Sequence, residues 1–348
     1  MKIAGTRKDE TKNKGAPTSS LAKRLGVFSK SYTISPIIVA VGILLAALFP
    51  YSLGPRNQNV LNQYTIYFVW IVLAESWNLI GGYGGLINLG LVSFFALGCV
   101  ITSLCLTIGI SLIGAMVISG LGGVLFALVL IPTFRLRSDY FAIATLVIPI
   151  ALKPLVEFVK GKSSFDVPFS VVFDPTQFYF VGLGMTALTI FGIWFLMRSR
   201  VGLALRGIGD DEYAAETVGV NVLLFKTVAL LASGFVASVA GSYYLALIGA
   251  VNSQIFQNLT FSLFPIFMVI IGGLATFEGP IVGALLFSGI SYGVVSYFQG
   301  STLEVLIFSV IIMVVAVFLP KGIVPTLLKL GKRLRKKGGK SEEPVPMT

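Results

Sequence analysis

The 348-residue sequence contains no histidine and only two cysteines. Because the chain has no imidazole group, a histidine general base and a histidine-ligated zinc site are both excluded. Cys99 and Cys105 are six residues apart within an apolar run. That spacing fits neither a redox CxxC pair nor a zinc ligand set. We interpret both as small hydrophobic side chains that contact lipid or neighbouring helices.

Charged residues are also scarce, at 12% of the chain, while hydrophobic residues make up 55% and the mean hydropathy is +0.90. Soluble domains usually contain about 25% charged residues. Because half that fraction leaves too little polar surface to cover a globule of this size, the composition indicates an integral membrane protein. The net charge of +11 is concentrated in the two tails and in short loops. This distribution favours contact with a lipid bilayer and argues against nucleic acid as a partner.

Ten segments are apolar and long enough to cross a bilayer, which takes about 20 apolar residues. The sequence therefore predicts an all-α fold, a polytopic bundle of about ten transmembrane helices. Only glycines mark the boundaries between residues 76 and 134, because no charged residue occurs there. The predicted spans are 36–53, 64–81, 86–107, 110–133, 139–159, 177–197, 224–248, 260–277, 280–298 and 303–319.

The positions of Lys and Arg predict the orientation of the chain. If both termini are cytoplasmic, all but four of the 26 Lys and Arg residues lie in or beside cytoplasmic segments, as the positive-inside rule requires. The exceptions are Arg56, Lys153, Lys160 and Lys162. We therefore expect a multi-pass protein of the cell membrane. Its predicted parts are a basic cytoplasmic tail at 1–35, a transmembrane domain at 36–320 with a cytoplasmic loop at 198–223, and a second basic cytoplasmic tail at 321–348.

The polar segment 198–223 interrupts the apolar pattern with seven charged residues. At about 2.5–3.5 kcal/mol per charge at the bilayer centre, it cannot be a span. Within it, Asp210–Val218 is predicted to form a short helix, with Asp210 as N-cap and Gly219 in the left-handed position after its end. A helix this short does not persist alone in water, so a tertiary contact must hold it. Its small apolar side suits a groove on another protein, and packing on its own chain is the alternative.

The stretch "RSRVGLALRGIGDDEYAAETVGVN", Arg198–Asn221, resembles the cytoplasmic EAA-type coupling loop of ABC importer permeases. It is most similar to the version in branched-chain amino acid permeases of the LivM type. An Arg-rich start, an acidic triplet, a pair of alanines and a Gly–Val–Asn ending carry the resemblance. Four further stretches also carry the resemblance, and all five occur along the chain in the family's order. These four are "NLIGGYGGLINLGLVSFFALG" at 78–98, "RLRSDYFAIATL" at 135–146, "IGGLATFEGPIVGALL" at 271–286 and "LPKG" at 319–322.

The resemblance implies a transport subunit that is not an enzyme and binds no cofactor itself. Permeases of this family work with a second permease subunit, two ABC ATPase subunits that use ATP, and an extracytoplasmic solute-binding protein. The solute would be a branched-chain amino acid or another small polar molecule such as urea. The resemblance assigns the contact with the ATPase to Asp210, Asp211, Glu212, Ala214, Ala215 and Gly219.

The residues agree that the chain lacks its own nucleotide site. The only GKS triplet, Gly161–Ser163, has Val156 where a P-loop requires its first glycine. It also falls in a loop predicted to lie outside the cell.

Glycines interrupt the predicted spans at Gly81–Gly85 and Gly272–Gly273. Irregular backbone at membrane depth is tolerated only where it is buried in protein or lines a water-filled cavity. The first interruption is therefore a candidate part of the translocation path, and close helix packing is the alternative. The candidate path residues are Glu75, Asn78, Tyr83, Asn88 and Ser93.

Glu75 lies well inside a predicted span, where ionisable groups are costly and usually functional. One interpretation is a stand-alone secondary transporter driven by an ion gradient through Glu75. Another is a protonated, structural Glu75 bonded to Asn78 or Ser76. A membrane anchor without any transport path is a third class of protein to consider. Lys153 and Glu157, four residues apart on one helix face, are predicted to pair near the outer surface.

Overall fold

The structure is a computed structural model that describes residues 35–53, 58–136, 138–161, 163–168, 174–298, 310 and 322–327. The chain divides into two compact units, residues 1–45 and residues 46–348. In the first unit, the described part is a helical stretch that begins at Ser35. The second unit contains the bundle and both short strands, and the following paragraphs concern it.

The described residues are mostly helical, as expected where apolar segments must satisfy their own backbone hydrogen bonds. The α-helices are α1 (Ser35–Leu53), α2 (Gln58–Trp77), α3 (Leu91–Thr107), α4 (Leu112–Leu130), α5 (Ser138–Lys160), α6 (Pro175–Arg198), α7 (Arg200–Asp210), α8 (Glu212–Thr217), α9 (Val222–Ile248), α10 (Thr260–Gly272) and α11 (Gly279–Phe298). The other elements are a π-helix at Asn78–Tyr83, 3₁₀-helices at Ile131–Arg135 and Ser253–Gln257, and strands β1 (Ser164–Asp166) and β2 (Ala250–Asn252).

The first nine predicted spans each coincide with a helix, which confirms an all-α membrane fold. Within the described residues, five helices are long and apolar enough to cross a bilayer: Tyr64–Tyr83, Leu112–Phe134, Asp139–Lys160, Pro175–Arg198 and Val222–Ile248. Four further apolar helices are shorter. The predicted tenth span, 303–319, lies outside the described residues except for Val310, and the tails at 1–34 and 328–348 lie outside them entirely. The total of ten spans and the orientation of the termini therefore stay predictions.

Helix α9 packs against α2, α3 and α4. Small residues let the helices approach closely: a Cβ atom on Gly241 of α9 would overlap the carbonyl oxygen of Phe95 in α3, and a Cβ atom on Gly98 would overlap that of Ser238. Side-chain hydrogen bonds accompany these contacts, since Ser238 Oγ donates to the carbonyl of Phe94 at 2.9 Å. Close backbone approach and interhelical hydrogen bonds are the usual forces between helices in lipid.

Strands β1 and β2 join the loops that follow α5 and α9, with Phe165 paired to Val251. Both loops are predicted to lie on the outer side. Their sequences do not predict the strands, because three-residue strands are too short to show an alternating pattern. The predicted Lys153–Glu157 pair is wrong. Lys153 Nζ donates to Gln257 Oε1 at 3.3 Å, and Glu157 Oε1 accepts from the Ser253 hydroxyl, so both side chains of α5 contact the 3₁₀-helix at Ser253–Gln257 instead.

The α3–α9 contact predicts a large effect of one methyl group. Gly241→Ala forces the two helices apart, and overpacking of this kind costs about 1–3 kcal/mol. Gly184→Ala in α6 is the matched control, because a Cβ atom there meets nothing within 4 Å. We expect a clearly lower thermal unfolding midpoint in detergent for Gly241→Ala than for Gly184→Ala. Equal midpoints would contradict this account of the packing.

Candidate functional site

The polar segment begins with a helix that the sequence analysis did not predict. Ser199 ends α6 and caps α7: its Oγ donates to the Leu196 carbonyl at 2.7 Å and accepts from the Val201 N–H at 3.2 Å. Helix α7 then buries Gly202, Leu205 and Ile208, which are three residues apart. This spacing places them on one helical face, and it was the sequence signal that could have revealed α7.

The short helix itself is present, but it starts one residue later than predicted. Its N-cap is Asp211, whose Oδ1 accepts from the Ala214 N–H at 3.0 Å, while Asp210 is the last residue of α7. The reason is conformational: Asp211 is extended, as an N-cap must be, with φ −161° and ψ 110°. The prediction of Asp210 as N-cap is therefore wrong.

The predicted end of the short helix is confirmed. Gly219 has φ +87°, the left-handed conformation that favours glycine. The N–H of Gly219 donates to the Glu216 carbonyl at 2.9 Å, and the N–H of Val220 donates to the Ala215 carbonyl at 3.0 Å. Together these two bonds form a Schellman motif.

The two alanines of α8 differ in exposure. Ala215 is buried in a small apolar cluster with Ile208 of α7 and Val222 of α9. Ala214 is exposed, and Tyr213 of α8 and its C-cap Val218 are 82% and 79% exposed. Helix α8 thus packs on its own chain through Ala215 and leaves an apolar, aromatic-edged surface uncovered.

An ion pair supplies the second contact that holds α8. Glu212 Oε2 lies 2.6 Å from Nζ of Lys226, which is the fifth residue of α9. The Lys226 side chain is only 7% exposed and that of Glu212 is 48% exposed. Because a buried ammonium group is costly without a partner, Glu212 compensates a charge that α9 would otherwise bury alone. No pattern in the sequence indicates this pairing of Lys226.

The first glycine interruption is a π-helix, Asn78–Tyr83, that continues α2, and all six of its residues are buried. An irregular stretch leads from it to α3. The Asn78 amide reaches the turn between α10 and α11: Nδ2 donates to the Thr276 carbonyl at 3.0 Å, and Oδ1 accepts from the Ala275 N–H at 3.1 Å. The two predicted glycine interruptions therefore contact each other.

All five candidate path residues are buried: Glu75, Asn78, Tyr83, Asn88 and Ser93. Within the described part of the chain, both Glu75 carboxylate oxygens, Asn88 Nδ2 and Ser93 Oγ have no hydrogen-bond partner. The idea that Glu75 bonds to Asn78 or Ser76 is wrong, because Ser76 Oγ donates to the Ser233 carbonyl at 2.8 Å and the Asn78 amide is bonded elsewhere.

An apolar groove of about 820 Å³ lies between α4, α6 and α9, and Met116, Leu188 and Phe235 are among its lining residues. None of the five candidate path residues lines it. Among the described residues, no group of three His, Cys, Asp or Glu side chains is placed to hold a metal ion.

Apolar helices long enough to cross a bilayer, joined by a capped and partly exposed polar segment, define a multi-pass membrane protein. Residues 59–317 match the family model described as branched-chain amino acid transport system / permease component. Since this match covers most of the chain, the protein belongs to that family.

Individual relatives agree with this assignment. The chain is 26% identical, over 279 residues, to the high-affinity branched-chain amino acid transport system permease protein LivM of Escherichia coli (strain K12), a match that covers 70% of this chain and 65% of the relative. It is 21% identical, over 238 residues, to the probable branched-chain amino acid transport permease protein LivM of Methanocaldococcus jannaschii, covering 63% and 69% of the two chains. The chain thus spans about two-thirds of the length of these relatives.

Among solved structures, PsaBC from Streptococcus pneumoniae in complex with Fab aligns with a TM-score of 0.48 at 16% identity. The alignment covers 82% of this chain and 99% of that chain. At this level of similarity it supports no inference about the present chain.

The Glu212–Lys226 pair predicts how α8 is anchored. Glu212→Gln leaves the Lys226 ammonium group buried without its counter-charge, so we expect α8 to loosen and its amide hydrogens to exchange at least several-fold faster. Glu216→Gln is the control, because Glu216 is an exposed acid on the same helix. Hydrogen–deuterium exchange of the peptide that covers residues 212–220 gives the measurement. Equal exchange in the two variants would show that the pair does not anchor α8.

Proposed function

We propose that this chain is a permease subunit of an ABC importer, with both termini in the cytoplasm. It pairs with a second permease subunit to form the translocation path, and two ABC ATPase subunits and an extracytoplasmic solute-binding protein complete the transporter. The chain itself binds no cofactor; ATP is used by the partner ATPases. Membership of the permease family is the background to this proposal, and the exposed surface of α8 is the observation that carries it.

Helix α8 has the properties of a docking element. It is short and capped at both ends, and its contacts with its own chain run through Ala215 and Glu212. The surface that remains is formed by Tyr213, Ala214 and Val218, all exposed. Since large exposed apolar side chains on a small, rigid helix favour a protein contact over water, we infer that this surface seats in a groove on the ATPase.

In this proposal, the six residues assigned to the contact with the ATPase have different roles. Ala214 belongs to the docking surface itself. Asp211, Glu212, Ala215 and Gly219 shape and anchor the helix through the N-cap, the ion pair, the apolar cluster and the Schellman motif. Asp210 ends α7 and is exposed, so it is free to contact the partner at the junction of the two helices.

We propose branched-chain amino acids as the solute, supported by the naming of the relatives as branched-chain amino acid permeases. A urea-type ABC permease is the alternative. Uptake of labelled leucine and labelled urea into vesicles that contain the whole transporter separates the two. ATP-dependent uptake of urea but not leucine would replace the amino acid proposal.

The docking surface predicts a selective loss of the ATPase. Ala214→Trp places an indole on the exposed face, so we expect at least a tenfold loss of co-purifying ATPase and of ATP-dependent uptake, with unchanged amounts of the chain in the membrane. Ala250→Trp is the matched control, because Ala250 is also exposed but lies in β2, away from α8. Affinity purification of the chain from its membrane, followed by an ATPase assay, gives the measurement. Normal recovery of the ATPase with Ala214→Trp would disprove docking through α8.

A stand-alone ion-coupled transporter is the second candidate function, and the buried Glu75 carboxylate favours it. Glu75 is fully buried, and its oxygens have no hydrogen-bond partner within the described residues. If an ion gradient acts through this group, Glu75→Gln abolishes uptake, because the amide cannot exchange a proton or hold a cation by charge.

For the ABC importer, we expect Glu75→Gln to leave at least half of the ATP-dependent uptake. The amide has nearly the shape of the protonated carboxyl, so packing is preserved. Uptake in proteoliposomes, with and without ATP and with and without an imposed ion gradient, distinguishes the two functions. Complete loss of uptake together with gradient dependence in the parent would favour the secondary transporter.

A further inference from the structure

Backbone contact joins α7 to the π-helix Asn78–Tyr83. A Cβ atom on Gly209 of α7 would lie 2.6 Å from the Tyr83 carbonyl oxygen, and a Cβ atom on Gly85 would lie 3.3 Å from the Gly209 Cα. Gly85 has φ +68°, so the chain turns immediately after the π-helix. The absence of side chains at both glycines is what lets the two backbones touch.

Side chains reinforce this contact. Leu79 and Tyr83 of the π-helix share one buried cluster with Met197, Leu205 and Ala229, from α6, α7 and α9. Close-packed interiors of this kind transmit displacement because they have little free volume. A movement of α7 therefore displaces the π-helix or breaks this cluster.

At its other end, the π-helix holds the turn between α10 and α11. Asn78 uses both ends of its amide there, on Ala275 and Thr276. Gly82 leaves the space for this contact, since a Cβ atom on Gly82 would overlap Asn78 Oδ1 and lie 3.0 Å from the Ala275 nitrogen. Gly82 thus has a local structural reason.

The turn to which Asn78 is hydrogen-bonded has an unusual backbone conformation. Ala275 has φ +54°, in the left-handed region that non-glycine residues rarely adopt, and Gly273 has φ +136°. Thr276 Oγ1 donates to the Gly273 carbonyl at 2.7 Å and accepts from the Gly279 N–H at 3.1 Å. Because such a conformation persists only when its surroundings support it, the two bonds to Asn78 help to determine the shape of the turn.

We propose that the π-helix Asn78–Tyr83 is the link by which movement of α7 and α8 reaches the α10–α11 turn, with Gly209 and Asn78 as positioning residues at its two ends. The inference rests on the proposed function, in which the ATPase moves α8. It adds a route: from α8 to α7 through their junction at Asp210 and Asp211, from Gly209 to Tyr83, and from Asn78 to Ala275 and Thr276. Single-turn π-helices are often found at functional sites.

The test compares two alanine substitutions in one helix. Gly209→Ala pushes α7 away from Tyr83, whereas Gly207→Ala meets nothing within 4 Å. Both changes raise helix propensity equally, so the difference reports the contact with the π-helix. The full transporter, with its partner permease, ATPases and binding protein, is reconstituted in proteoliposomes. The readout is the number of solute molecules imported per ATP hydrolysed, which a merely structural role would not change in an assembled complex.

We expect Gly209→Ala to lower this ratio at least threefold while ATP hydrolysis persists, and Gly207→Ala to leave it unchanged. Asn78→Leu, similar in size but without either hydrogen bond, tests the other end of the link and should lower the ratio in the same way. If Gly209→Ala does not assemble, the ratio measured for Asn78→Leu decides whether the π-helix is the link.

The outcomes are distinct. A parent transporter without ATP-dependent uptake overturns the proposed function and this inference together. A working parent whose ratio is unchanged by Gly209→Ala and Asn78→Leu overturns the inference alone. If neither variant assembles while Gly207→Ala does, the contacts are a static scaffold and the inference is likewise overturned.

Discussion

The architecture depends on one constraint: a backbone polar group at membrane depth must find its partner inside the protein. Uninterrupted helices meet this constraint by themselves. Every interruption therefore requires a specific donor or acceptor from elsewhere in the chain. At the two glycine interruptions, that partner is the Asn78 amide, which bonds the turn at Ala275 and Thr276. The place where the helices break is thus also the place where distant parts of the chain are joined.

The same constraint explains why glycine and serine, rather than large apolar residues, determine the helix contacts. In lipid, apolar surface gains little from burial against another helix, so contact depends on close approach and hydrogen bonds. Gly241 and Gly98 let α3 and α9 approach within backbone contact, and Ser238 adds a hydrogen bond at that interface. A similar close approach occurs outside the apolar helices, where Gly209 allows the backbone of α7 to contact the π-helix.

Sequence patterns predicted the fold well because lipid imposes a length and a composition on each span. The same reasoning predicted a capped helix near Asp210 and the left-handed Gly219, since caps have local chemical signatures. It misplaced the N-cap by one residue, because consecutive aspartates are chemically equivalent and only the extended backbone of Asp211 distinguishes them. The partners of Lys226 and Asn78 could not be predicted from the sequence, because tertiary packing determines which side chains meet.

The geometry of α8 explains why the polar segment is both small and firmly held. In the proposed docking on an ATPase, one side of α8 contacts the partner and another side contacts its own chain. The two adjacent alanines of α8 differ in this respect: Ala214 is exposed and Ala215 is buried against Ile208 and Val222. Larger side chains at either position would change the fit on one side. The buried Lys226, paired with Glu212, adds an electrostatic contact to the base of α9. The segment is therefore packed on the helices behind it and is not an independent loop.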